Sequence, residues 1–213
     1  MKRTILLFLI LILGASSPLW AQKKVKEPKN KFGAIHYTHT GAQYTLSSAT
    51  GSATASDDLV GAGFFYERLF LSRFSAGLKY SGFLERSLTQ SLDGDTISTV
   101  ETTTMTTLDF KAFFKDHSQS GMKPFLGVSF GTYAPMSVVT TIAAAGNTEG
   151  STAASVPVTG LSFGFDYILE FGGVRVEGYS ITGKRRDLTS HDTYIANYRY
   201  DGSALSIGVY SFF

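Results

Sequence analysis

From Phe32 to Phe213 the chain alternates apolar and polar residues with a period of two, run after run. In "LSFGFDYILE", Leu161, Phe163, Phe165, Tyr167 and Leu169 fall on one side, with Ser162, Gly164, Asp166 and Glu170 on the other. Successive side chains of an extended backbone point to opposite faces, so the pattern is that of strands. "RFSAGLKYSGFLE" and "TLDFKAFF" repeat it, and no stretch keeps helical spacing for three turns. The chain is all-β by this criterion. Even its end complies: Leu205, Ile207, Val209, Ser211 and Phe213 share a face to the last residue, where a soluble domain commonly frays.

The runs between turn signals divide into eight strands, near 32–47, 59–69, 74–89, 96–114, 123–141, 155–170, 174–186 and 195–213. Their connections alternate. "LFLSR", "KDHSQSGM" and "FGG" are short, whereas "SATGSATASDD", "AAGNTEGSTAA" and "LTSHDT" are polar and mostly longer. Long amphipathic strands in even number, with short turns at one end and larger loops at the other, predict an eight-stranded antiparallel up-and-down transmembrane β-barrel. A soluble barrel would turn its apolar face inward. Here the polar face is rich in Gly, Ser and paired charges, as a narrow lumen requires, and the strands exceed the roughly 9–11 residues that cross a bilayer.

The first residues fit such a destination. Lys2 and Arg3 precede "TILLFLILILGA" and "SSPLWA", which read as a signal peptide over residues 1–21, cleaved after Ala21. The apolar run is too short to span a membrane as a helix. Residues 22–31, "QKKVKEPKNK", read as a basic periplasmic linker ahead of a barrel at 32–213. Once Lys2 and Arg3 are removed, the 19 Lys and Arg fall level with the 17 Asp and Glu, a balance that offers nothing to nucleic acid. The absence of Cys excludes disulfides and thiolate metal sites.

On signal peptide, alternating strands and terminal aromatic together, the chain resembles the small eight-stranded outer-membrane β-barrels of bacteria, the OmpA, OmpX and OmpW-like superfamily. The resemblance implies a monomer in the cell outer membrane with both termini periplasmic. It also implies Phe213 as the signal read by the barrel-assembly machinery, although Ser211 stands where that group often has a large residue. Function is then a surface, structural or interaction role through loops and protruding strands, in contact with outer-membrane lipid, lipopolysaccharide or an extracellular protein partner. The alternative is a narrow channel or carrier for small or apolar solutes, in the manner of OmpW-like members.

Several residue groups carry these expectations. The alternation turns Glu67, Lys79, Asp109, Lys111, Asp166, Glu170, Arg175 and Glu177 into the lumen as a charge network, with Arg175 and Asp166 as a predicted pair. Ions in a narrow barrel must be paired, and the network is either a structural plug or a rearranging path. Aromatic girdles are expected from Phe70, Phe74, Phe114, Phe171 and Phe213 at the periplasmic rim and from Tyr44, Tyr80, Tyr133, Tyr179 and Tyr198 at the outer one. Lys184, Arg185 and Arg186 could bridge lipopolysaccharide phosphates. "TISTVETTTMTT" continues into "LDFKAFFK" as a strand that stands above the bilayer, either an edge open to a partner strand or an inert extension blunted by Glu101.

Catalysis finds little footing. His36 and His39 point to opposite faces, and His117 sits in a turn. His191 is similar to the catalytic His of outer-membrane lipid A deacylases, but Thr193 replaces the Ser of that motif and its Asn is absent. No catalytic residue, metal site or cofactor is assigned. Two strands read poorly: "FGAIHYTHTGAQY" shows no clean outward face, and Tyr198 and Tyr200 are out of phase with the outward Leu205–Phe213 set, which predicts a β-bulge near "DGS".

Overall fold

The computed structural model describes residues 30–70, 72–117, 120–142, 147–151, 155–191 and 194–213, with backbone alone for 135–140, 142, 147–151, 184–191 and 194–196. The expected signal peptide and most of the basic linker lie outside these residues. Twelve strands follow in order: β1 Asn30–Ser47, β2 Ser52–Phe70, β3 Phe74–Phe83, β4 Arg86–Leu92, β5 Asp95–Phe113, β6 Gly121–Ile142, β7 Asn147–Ser151, β8 Val156–Ile168, β9 Gly172–Thr182, β10 Lys184–His191, β11 Tyr194–Arg199 and β12 Gly202–Phe212.

These make eight staves, because β4, β7, β10 and β11 extend β3, β8, β9 and β12 beyond short interruptions. The wall runs β1–β2–β3–β5–β6–β8–β9–β12, every pair antiparallel, and β12 pairs with β1 to close the barrel. The expected architecture is the observed one. Closure removes the free edges that an open sheet would present in this half of the molecule.

Several boundaries differ, since β4 runs to Leu92, β7 lies within a presumed loop and β10 runs to His191, and two of the differences bear on the interior. β2 opens at Ser52 rather than at 59, because Ser52–Asp57 pairs with Ala42–Ser47 of β1 and turns a presumed loop into sheet. β1 opens at Asn30, so Asn30 and Lys31 belong to the barrel and not to the linker, with Lys31 opposite Glu67 of β2 and Phe212 of β12.

The unreadable first strand has a local cause. Lys31, Gly33, Ile35, Tyr37 and His39 point inward, then Ala42, Tyr44 and Leu46 do. Between His39 and Ala42 the register shifts, with Gly41 at φ +91°, a conformation that glycine adopts without strain. The inward phase therefore flips from odd to even numbers. On the last stave the chain leaves the ladder at Tyr200 and Asp201, but the bulge expected near "DGS" is not found: Tyr198, Tyr200, Ala204 and Ser206 all point inward and the register to β9 and β10 is unchanged, so the two tyrosines are in phase as lumenal residues. Asp201 Oδ1 accepts from Gly183 N at 2.8 Å, and Gly202 passes so close to the backbone of β1 that a Cβ would lie 2.0 Å from the Thr40 carbonyl oxygen.

Outward residues form an apolar belt. From the short turns it rises through Phe74, Leu78 and Tyr80 on β3, Phe110 and Leu108 on β5, and Val209, Ile207 and Leu205 on β12, all exposed. Beyond it the outward positions become Thr106 and Thr104 on β5 and Thr38 and Thr40 on β1. A belt of this kind facing outward and a polar interior are the reverse of a soluble barrel.

Candidate functional site

The half of the interior at the short-turn end is ionic. Arg175 on β9 lies directly opposite Asp166 on β8, so their side chains meet across the strand pair. Its Nε donates to Asp166 Oδ1 at 2.7 Å and its Nη2 to Oδ2 at 2.9 Å. The same guanidinium donates from Nη1 and Nη2 to Glu67 Oε2 and Oε1 at 2.8 and 2.9 Å. One planar fork thus holds two carboxylates, which a point-charge ammonium could not do. Its face rests over the Phe65 ring at 4.7 Å.

Around this centre Lys31 reaches Asp166 at 2.6 Å and Glu67 at 3.1 Å. Lys111 reaches Glu67 at 3.3 Å and Glu177 at 3.2 Å. Lys79 reaches Asp109 at 2.9 Å and Glu177 at 3.4 Å, and it also donates to the Tyr179 hydroxyl. Four cations and four carboxylates balance to zero, and none is more than 4% exposed. The neutrality is required, since an unmatched ion in so dry a place carries a penalty of several kcal/mol.

Seven of the eight expected lumenal charges are brought together. Glu170 is the exception: β8 ends at Ile168, and the turn carries Glu170 out of the alternation to an exposed position. Lys31 and His117 are the members that sequence reading missed. His117 hangs from the turn after β5, edge-on to the Phe113 ring at 3.9 Å, with its Nε2 3.0 Å from Lys31 Nζ.

The outer half of the interior is aromatic. Tyr37, Tyr44, Tyr133, Tyr179, Tyr198 and Tyr200 are all buried there, so four of the five tyrosines expected on the outer girdle line the lumen instead. Only Tyr80 faces outward, 37% exposed. The phase of each strand decides this: Tyr179 continues the inward set of Arg175 and Glu177, and Tyr133 that of Ser129. Tyr133 stacks on Tyr200 at 4.4 Å and 11°, and its hydroxyl lies 2.7 Å from His39 Nδ1. Between the ionic and aromatic layers, Tyr37, Lys79, Met105, Thr107, Ser129 and Tyr179 bound a void of about 10 Å³, space for about one water.

Glu101 is corrected as well. Instead of blunting an exposed edge, it is 1% exposed and pairs with Arg86 of β4, whose Nε donates to Oε1 at 2.5 Å. Inward-pointing Ile97, Thr99, Glu101, Thr103 and Met105 give the Thr-rich strand an interior face.

The outer wall divides where this layer begins. Above Gly61 and Phe83 the ladder between β2 and β3 stops, and β4 continues along β2 with no ladder of its own to it. The join is made by Leu84 N donating to Val60 O at 2.8 Å and by Gln90 Nε2 donating to Tyr44 O and Ala53 O at 2.9 and 3.2 Å. At the tip Thr50 Oγ1 donates to Asp93 Oδ1 at 2.5 Å; this bond, with help from Ser48, holds the Asp93 carboxyl below its usual range. On the far side β10 pairs with β11 and β7 with β6, without a ladder between β7 and β10 among the described residues. The projecting part is thus two four-stranded sheets, β10–β11–β1–β2 and β4–β5–β6–β7, packed on a shared aromatic core.

Lys184, Arg185 and Arg186 pair through their backbone with Arg199, Tyr198 and Asn197, and His191 with Tyr194; their side chains lie outside the description. Phe213 is 67% exposed at the short-turn rim, its ring 6.2 Å from that of Tyr66. Among the described residues no group of three His, Asp or Glu is arranged to hold a metal ion.

No family model and no curated protein matches the chain. Among solved structures it is similar to the outer membrane protein OprG from Pseudomonas aeruginosa, at a TM-score of 0.57 and 12% identity over 89% of this chain and 98% of that one. Neisserial surface protein A gives a TM-score of 0.49 at 14% identity over 85% and 97%. The attachment invasion locus protein of Yersinia pestis gives 0.46 at 10% over 87% and 99%. The fold is that of the small eight-stranded outer-membrane β-barrels.

Proposed function

We propose that the chain is a bacterial outer-membrane protein with both termini in the periplasm, in which a plugged barrel anchors a two-sheet head that makes contacts outside the cell. The observation that carries this reading is the neutral cluster of eight paired ions that fills the periplasmic half of the lumen. An eight-stranded barrel is just wide enough to be filled by its own side chains, and these pairs fill it. The head supports the rest of the reading, because β2, β4, β7 and β10 each keep an edge without a ladder partner among the described residues. Edges of that kind pair with extended segments of other proteins. Lys184, Arg185 and Arg186 are assigned to lipopolysaccharide phosphates, and Phe213 to recognition by the assembly machinery.

A second reading, a narrow channel or carrier for small or apolar solutes, is favoured by the aromatic lining of the outer half. Conductance of the membrane-purified protein in a planar bilayer separates the two. The anchor predicts silence in wild type and in Glu177→Gln alike. Reproducible openings that Glu177→Gln alters would replace the plug with a gated path.

A further inference from the structure

The apolar belt is not even. On β3 and β5 phenylalanine and alanine form a checkerboard, Phe74 opposite Ala112 and Ala76 opposite Phe110, so that each ring stands beside a methyl group. The two alanines fall on one diagonal and leave a groove of about 700 Å³ across β3, β5, β6 and β8, walled by Phe70, Phe74, Phe110, Leu126 and Leu161. That volume lies within the roughly 300–1,000 Å³ of ordinary ligand sites. Unlike a flat belt, its floor loses dispersion contacts unless a flexible chain enters it.

One end of the groove is charged. Phe70 and Phe74 flank the β2–β3 turn, whose Arg73 carbonyl accepts from Phe113 N at 2.8 Å while Ser72 O accepts from His117 N at 3.2 Å. These bonds tie the β2–β3 and β5–β6 turns side by side at the periplasmic rim. Arg73 and Lys115 on them are exposed, with one carboxylate, Asp116, beside them. Arg68, also exposed, lies over the Phe70 ring at 5.9 Å. An apolar slot within the belt that ends beneath a cluster of cations matches one chemistry, an acyl chain with an anionic headgroup.

We propose that this groove is a binding site for an anionic phospholipid of the periplasmic leaflet, one acyl chain lying over Ala76 and Ala112 and the phosphate held by Arg73 and Lys115. The proposal rests on the membrane placement given above. Its test is native mass spectrometry of the membrane-purified protein offered phosphatidylglycerol or phosphatidylethanolamine of equal chain length. Two cations near a membrane surface predict roughly a 30-fold preference for phosphatidylglycerol in wild type. Arg73→Gln with Lys115→Gln, both on exposed turns, is expected to reduce that preference to near unity, with phosphatidylglycerol retention falling more than that of phosphatidylethanolamine, whose own ammonium already offsets the phosphate. Ala76→Phe with Ala112→Phe fills the slot and is expected to release both lipids. Equal retention of the two lipids by wild type, or phosphatidylglycerol still held by the filled groove, overturns the site. Vesicle insertion is scored separately by protease protection: a chain that does not insert overturns site and membrane reading together, whereas insertion with equal retention overturns the site alone.

Discussion

Removing Arg175 leaves two carboxylates facing one another across the lumen, and the size of the effect follows from what remains. Asp166 would keep Lys31 at 2.6 Å, and Glu67 would keep Lys31 and Lys111 at 3.1 and 3.3 Å. Their bidentate partner would be gone and the cluster would carry one unmatched negative charge. Breaking a buried pair in this way costs about 3–5 kcal/mol, so Arg175→Leu should lower the folding constant by roughly two to nearly four orders of magnitude. Asp166→Leu should cost a similar amount for the opposite reason, since it strands Arg175 and Lys31.

The double variant decides the matter. With both residues replaced, Lys31, Lys79 and Lys111 still face Glu67, Asp109 and Glu177, and the cluster is neutral again. Its loss should therefore fall short of the sum of the single losses by about 2–3 kcal/mol, toward the upper end of measured couplings. Urea unfolding from phospholipid vesicles followed by far-UV circular dichroism provides the assay, because the sequence's single Trp, Trp20, lies in the expected signal peptide. Strict additivity would refute the reasoning, for it would mean that the two side chains act as strangers despite the two hydrogen bonds between them.

Two further outcomes test the wall. Gly41→Val forces a β-branched residue to φ +91° and should destabilise by about 1–3 kcal/mol, read by the same unfolding assay, while Gln43→Val two residues on should stay within about 0.5 kcal/mol. Gln90→Ala removes both side-chain bridges across the β2–β4 join and should speed amide exchange in Ala53 and Ala55 without changing exchange in β8 and β9; unchanged exchange at the join would show that the aromatic core alone holds it.

The alternation that defines the eight staves was legible because each stave keeps one face in lipid and one in the lumen, and a period of two admits no other arrangement. The same phase placed seven lumenal charges. It failed in two ways: the Gly41 bulge flips the inward phase and hid Tyr44, whereas Tyr133, Tyr179 and Tyr198 keep the inward phase of their staves and residue type alone pointed them to the girdle. Residue type could not help, since a tyrosine is equally at home on an interfacial girdle and in a buried ring stack. Lys31 was lost for another reason. It closes a basic run whose composition reads as solvated chain, and only the ladder to Glu67 and Phe212 reveals that its side chain turns inward.

The two interior layers divide the work of holding the wall. In the short-turn half every stave is hydrogen-bonded to both neighbours, and the ion cluster adds cross-lumen ties among β1, β2, β3, β5, β8 and β9. In the outer half no ladder joins β2 to β4 or, among the described residues, β7 to β10, so cohesion across those gaps depends largely on Tyr133, Tyr198, Tyr200 and their neighbours packing between two sheets. An extended partner segment that pairs with one of those edges would supply the backbone bonds the wall lacks. Its binding would act where the two sheets are joined mainly by side chains, and the ion cluster below would keep the barrel unchanged.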